Sequence, residues 1–92
     1  MSFTVYILYS EKYNKVYTGF TSNLIKRFHS HNELGTKGYT KNFRPWIIAY
    51  TEHFAIKQQA MIREKQLKTA NGRIWIWNKI NEQYKKDGFF SI

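Results

Sequence analysis

The stretch "TVYILYSEKYNKVYTGFT" (residues 4–21) decides the fold. Residues 3–10 and 15–20 are rich in aromatic and β-branched side chains, and residues 11–14 between them are a short polar turn. The two runs therefore predict an antiparallel hairpin. Side chains two apart on a strand share a face, which sets Tyr6 opposite or diagonal to Tyr17. Cross-strand partners are ~5 Å apart when opposite and ~7–8 Å when diagonal, so the two phenols can converge on one spot. Paired strand aromatics can also simply stack. Gly19 weighs against that reading, because a glycine inside a strand weakens it and marks a point of close approach, here read as room for a phosphate.

Working outward, Thr21, Ser22 and Asn23 offer caps for a helix over 22–34, with Leu24 and Phe28 facing the core and Gly35 as its stop. Residues 35–45 (GTKGYTKNFRP) read as an exposed loop and 46–54 (WIIAYTEHF) as a third strand. Residues 55–69 predict a helix with Ile56, Ala60 and Leu67 on one face, broken at Asn71-Gly72. Residues 73–85 predict a last amphipathic helix with Ile76, Trp77, Ile80 and Tyr84 inward. The expectation is a single α+β domain over residues 1–92. Its three-stranded antiparallel-type sheet is flanked by helices in the order β-β-α-β-α-α. Pattern alone leaves open where the third strand docks.

Fifteen Lys and Arg against six Asp and Glu give a net charge of +9, spread along the chain. A folded domain this basic suits a polyanion, through release of counterions from phosphates. Lys37, Lys41 and Arg44 alternate with Tyr39, Phe43 and Trp46, a mixture suited to phosphate contact and base stacking. The chain has no cysteine, which removes disulfides and thiolate zinc sites. No run approaches the ~20 apolar residues of a membrane span and no signal peptide is visible, so a cytoplasmic location is the default.

Arg27 and His31 are four apart on the predicted helix and share a face, a combination suited to an oxyanion. A solvated basic helix face is the plainer alternative. Glu64 is the sharpest anomaly. It falls inside the Ile56–Ala60–Leu67 stripe, where a carboxylate is costly unless it pairs with a cation or holds a metal. The other acids, Glu11, Glu33, Glu52, Glu82 and Asp87, are scattered, so a metal here would have one protein carboxylate. Magnesium tolerates that arrangement.

In this order these residues resemble the GIY-YIG nuclease superfamily. Its first signature corresponds to Thr4-Val5-Tyr6 and its second to Tyr17-Thr18-Gly19. Its helix arginine, ten residues past the second tyrosine, corresponds to Arg27, the following helix position to His31, and its metal-binding glutamate to Glu64. "VYIL", "VYTGFT", "LIKRFHSHN", "GYTKNFRPW" and "REKQLK" together look like the small single-domain bacterial branch. Thr4 departs from the glycine of the first signature, and Phe20 stands where some repair-nuclease relatives carry a lysine. Asn71 and Asn78 are both candidates for a late asparagine that some relatives use.

The resemblance implies a divalent-metal-dependent endonuclease acting on DNA in repair or recombination, with RNA left open, by structure more than by sequence. It implies one Mg²⁺ or Mn²⁺ on Glu64. Tyr6, Tyr17, Arg27, His31 and Glu64 would be catalytic, and Gly19, Lys37, Tyr39, Lys41 and Arg44 would contact nucleic acid. Arg27 and the metal would lower the phenol pKa values, and which group is the formal base stays open. A monomer is expected. The competing expectation is a non-catalytic nucleic-acid-binding module that keeps the fold.

Overall fold

A computed structural model describes residues 2–34 and 39–85. Gly35, Lys37 and the tail from residue 86 lie outside the described residues. Strands β1 (Phe3–Ser10) and β2 (Lys15–Thr21) form the expected hairpin. Asn14 closes its turn at φ 55°, a left-handed conformation that asparagine tolerates, and its Oδ1 accepts the Tyr9 hydroxyl at 3.2 Å. Strand β3 (Ile47–Phe54) settles the open question of docking by pairing antiparallel with β1, which gives the order β2-β1-β3. A register shift opposite Ile7 and Leu8 marks a bulge in this pair.

Because β1 is central, both its faces are covered and its apolar run is continuous. Val5, Ile7 and Tyr9 pack on one face with Ala49, Ala60, Leu67, Ile76 and Ile80. Tyr6 and Leu8 pack on the other with Trp46, bordered by Tyr17, Leu24, Phe28 and Phe43. Two small cores therefore share one strand, and the second contains a tyrosine of the candidate site.

Helix α1 (Leu24–His29) starts at Asn23, whose side chain accepts the Lys26 N–H at 3.1 Å. It continues into a π-helical segment, Ser30–Leu34, where the sequence predicts one uninterrupted α-helix. The predicted exposed loop instead holds a short helix α2 (Tyr39–Asn42), with Thr40 and Trp46 buried beside it. Helices α3 (Lys57–Leu67) and α4 (Ala70–Ile80) follow, and a second π-helical segment, Asn81–Lys85, ends the described chain.

Two expectations for α3 are corrected. Ile56 precedes the helix and is 53% exposed, so only Ala60 and Leu67 carry the apolar stripe. The break comes at Thr69, and Asn71-Gly72 lie in the first turn of α4. Thr69 caps that turn, its hydroxyl accepting the Gly72 N–H at 3.1 Å. A Cβ on Gly72 would run into the Gln66 carbonyl and lie 2.6 Å from Leu67 Cα, so the bare glycine permits this sharp turn.

Glu52, read from sequence as a scattered acid, ties these layers together. Arg63 on α3 grips it with Nε at 3.0 Å from Oε1 and Nη2 at 3.0 Å from Oε2, while the Tyr50 hydroxyl donates to Oε2 at 2.5 Å. The Arg63 guanidinium also lies 5.2 Å from the ring centre of Trp75 on α4. Burial pushes the Glu52 carboxyl up, but Arg63 and Tyr50 outweigh it and hold the group below its ordinary range.

Candidate active site

The hairpin register pairs Tyr6 with Gly19 and Leu8 with Tyr17, so the two tyrosines are diagonal on one face with ring centres 6.4 Å apart. The Tyr6 ring lies across Gly19, where an added Cβ would come within 2.5 Å of the Tyr6 hydroxyl. The glycine's bare face is therefore filled by a phenol. This corrects its reading as room for a phosphate: Gly19 lets Tyr6 lean toward β2.

Helix α1 brings Arg27 to the same place. Its guanidinium interacts electrostatically with both phenols, and Tyr6 above all raises its pKa above the ordinary value. His31 enters from the π-helical segment, its ring centre 4.6 Å from Tyr17 and 5.8 Å from Tyr6. It is only 7% exposed. Its Nε2 is 2.8 Å from the Tyr6 hydroxyl and its Nδ1 is 3.1 Å from Thr40 Oγ1.

Burial, aided by the nearby charges of Arg27 and Arg44, lowers the His31 pKa to about 4, so the ring is neutral at pH 7. The neutral ring has one N–H and one acceptor nitrogen, so of its contacts with Tyr6 and Thr40 one is donated and the other accepted. For Tyr6, burial prevails over Arg27 and pushes the phenol up to about 12, with the Tyr17 and Glu64 charges acting the same way. The expectation that cations lower this phenol's pKa is therefore reversed for Tyr6 by desolvation.

A shell that the sequence reading missed fixes His31. The Thr40 carbonyl accepts the Trp46 indole N–H at 2.8 Å, and Asn32 Oδ1 accepts the Trp46 backbone N–H at 2.6 Å. Arg44 Nε donates to the His31 carbonyl at 2.8 Å and its Nη2 to the Ser30 carbonyl at 3.3 Å. Arg44, expected at the nucleic acid, thus holds the last carbonyls around the histidine. The one available signal was Trp46, a large residue whose indole N–H needs a partner when buried.

Glu64 projects from α3, whose Ala60 and Leu67 pack in the core on the face of β1 opposite Tyr6. It is partly covered and pairs with Lys68, Nζ to Oε2, at 3.2 Å. This i,i+4 lysine is the cation that a carboxylate on that stripe calls for, and the Glu64 charge is also felt at Tyr6. Lys68 and Tyr17 line one cleft of about 530 Å³ along the free edge of β2, with Tyr39, Lys15 and Arg73. The two faces of the sheet meet at this edge. Tyr39 is exposed and stacks toward Tyr17 with centres 6.3 Å apart, Lys41 is exposed on α2, and Lys37 lies outside the described residues. Asn71 and Asn78 are both exposed on α4.

Residues 2–81 match the family model of the GIY-YIG catalytic domain. The chain belongs to the GIY-YIG family. Domains of this family are generally endonucleases that act on nucleic acid with a divalent metal. The chain is 35% identical over 88 residues to the UPF0213 protein CPE1444 of Clostridium perfringens, covering 90% of this chain and 94% of that one. It is 43% identical over 58 residues to the UPF0213 protein SH2523 of Staphylococcus haemolyticus, covering 63% and 71%. Across the curated relatives the match spans from 55% to 94% of their length. The solution NMR structure of the UPF0213 protein BH0048 from Bacillus halodurans shares the fold at a TM-score of 0.54 and 24% identity, covering 91% of this chain and 90% of that one. Among the described residues no helix is long and apolar enough to cross a membrane.

Proposed function

We propose that this GIY-YIG chain is a divalent-metal-dependent endonuclease that hydrolyses phosphodiester bonds in DNA. It selects substrates by shape more than by sequence, in repair or recombination. One observation carries the reading: Arg27, Tyr6, Tyr17 and His31 converge beside a basic cleft, with the Glu64 charge felt at the same phenol.

The donor set fits a hard cation. Glu64 is a partly covered carboxylate whose partner is a flexible, half-exposed lysine, and among the described residues no three His, Cys, Asp or Glu cluster to hold an ion alone. One carboxylate completed by water and substrate phosphate suits Mg²⁺ or Mn²⁺. Bound on Glu64, the ion supplies Lewis-acid stabilisation of phosphate charge.

The protein's own groups divide the remaining work. Arg27 offers its planar fork to the phosphate as negative charge builds on it. Tyr17 borders the cleft, so it is the phenol that meets the attacking water. Tyr6 is buried and ranks poorly as a base; its hydrogen bond to His31 holds it beside Arg27, whose charge acts on it. Neutral His31 shares a hydrogen bond with the Tyr6 hydroxyl through Nε2 and so holds that phenol in place.

The test is incubation with branched, nicked, single-stranded and double-stranded DNA, with Mg²⁺ or EDTA. Glu64→Gln should fold and bind but lose cleavage by ~10² or more. Unchanged cleavage by Glu64→Gln overturns the mechanism. Binding without cleavage on every substrate leaves the non-catalytic module instead.

A further inference from the structure

We infer that the cleft along the free edge of β2 seats a single-stranded segment of the substrate beside the scissile bond, with Arg73 and Lys15 gripping its phosphates and Tyr39 and Trp77 facing its bases. This deepens the nuclease reading and rests on it for the position of the scissile phosphate. The cleft has three cations, Lys15, Lys68 and Arg73, and no carboxylate in its lining. Among the described residues no acid pairs with Lys15 or Arg73, whereas Arg63 and Lys68 each have one. Unneutralised cations facing a common concavity attract an anion with several charges.

The other lining groups narrow the anion to a nucleic acid strand. Tyr39 is 44% exposed and Trp77 is partly exposed, and both border the cleft. Arg73 lies close enough to Tyr39 for its charge to act on the phenol, so phosphate and base contacts alternate along one wall. Cations interleaved with aromatic faces are what a flexible single strand needs, since every base has a face to stack. The volume of about 530 Å³ lies within the range of pockets that enclose a small ligand. Tyr17 closes one side, which joins the cleft to the catalytic cluster.

The experiment measures anisotropy of a labelled oligothymidylate of about 12 nucleotides in EDTA across a salt series, with no cleavage required. Arg73→Glu should weaken binding roughly tenfold and reduce the salt slope by about 0.7 or more. An acid in the first turn of α4 is favourable to that helix, so the fold should survive. Lys57→Glu, at the far end of α3, makes the same change in net charge and should have a much smaller effect. Equal losses in Arg73→Glu and Lys57→Glu, or no loss in Arg73→Glu, overturn the cleft. Hydrolysis of bis(p-nitrophenyl) phosphate with Mn²⁺ separates the two readings. That small diester tests the catalytic cluster without filling the cleft, so its failure counts against catalysis while the binding comparison still decides the groove.

Discussion

Acidification should destabilise the fold through His31 before most carboxylates titrate. The free imidazole titrates near 6.5, and burial beside Arg27 and Arg44 lowers it to about 4 in the folded chain. Below pH 6.5 the unfolded chain binds a proton that the folded chain refuses until about pH 4. This contribution to stability is therefore complete above 6.5 and is lost progressively as pH falls through that window. The integrated loss is about 1 kcal/mol at pH 5.5 and roughly 2–3 kcal/mol at pH 4.5. Glu52 adds a loss of the same sign, because its folded pKa is also depressed. A difference measurement removes it. Urea unfolding of wild type and His31→Gln at neutral pH, 5.5 and 4.5 should show the wild type falling more steeply by those amounts. The substituted side-chain amide can still reach Tyr6 and Thr40 while having no proton to gain. Parallel pH profiles, or a His31 ring resonance titrating near its ordinary value, would refute the reasoning.

Gly19→Ala should displace the Tyr6 ring, costing ~1–3 kcal/mol by urea unfolding and disproportionately more activity, and unaltered cleavage would show that the ring is free to yield. Arg27→Lys should melt like wild type yet lose ~10² in cleavage rate, because a point charge cannot meet both phenols and a phosphate. Arg44→Met should cost ~1–3 kcal/mol by leaving the Ser30 and His31 carbonyls without their donor. Unchanged stability with weakened DNA binding would return Arg44 to the nucleic-acid surface.

The hairpin was legible because aromatic and β-branched runs about a polar turn are local signals, and the two-residue period of strand side chains placed Tyr6 and Tyr17 on one face. Arg27 and His31 came together through helical spacing, although the chain widens into a π-helical segment between them. The shell around His31 was not legible. Thr40, Arg44 and Trp46 lie in a stretch whose glycines, proline and cations read as loop, and only tertiary contacts turn those residues inward. Glu64 was found for a partly mistaken reason. Ile56, which helped define its stripe, is exposed, while Ala60 and Leu67 alone orient the helix. The Lys68 partner was missed although i,i+4 spacing announces it.

Among the described residues the second core has three fully buried apolar side chains, Tyr6, Leu8 and Trp46, and His31 is wedged against it. Half of the catalytic cluster is thus also scaffolding, under selection for folding whether or not any bond is ever cut. A descendant that abandoned hydrolysis would still need Tyr6 and His31 to remain folded, whereas Arg27 and Glu64 belong to neither core and could drift at less cost to the fold. In natural variants of this chain, the arginine and the glutamate are therefore the informative markers of a working enzyme. The tyrosine and histidine would persist in active and retired copies alike.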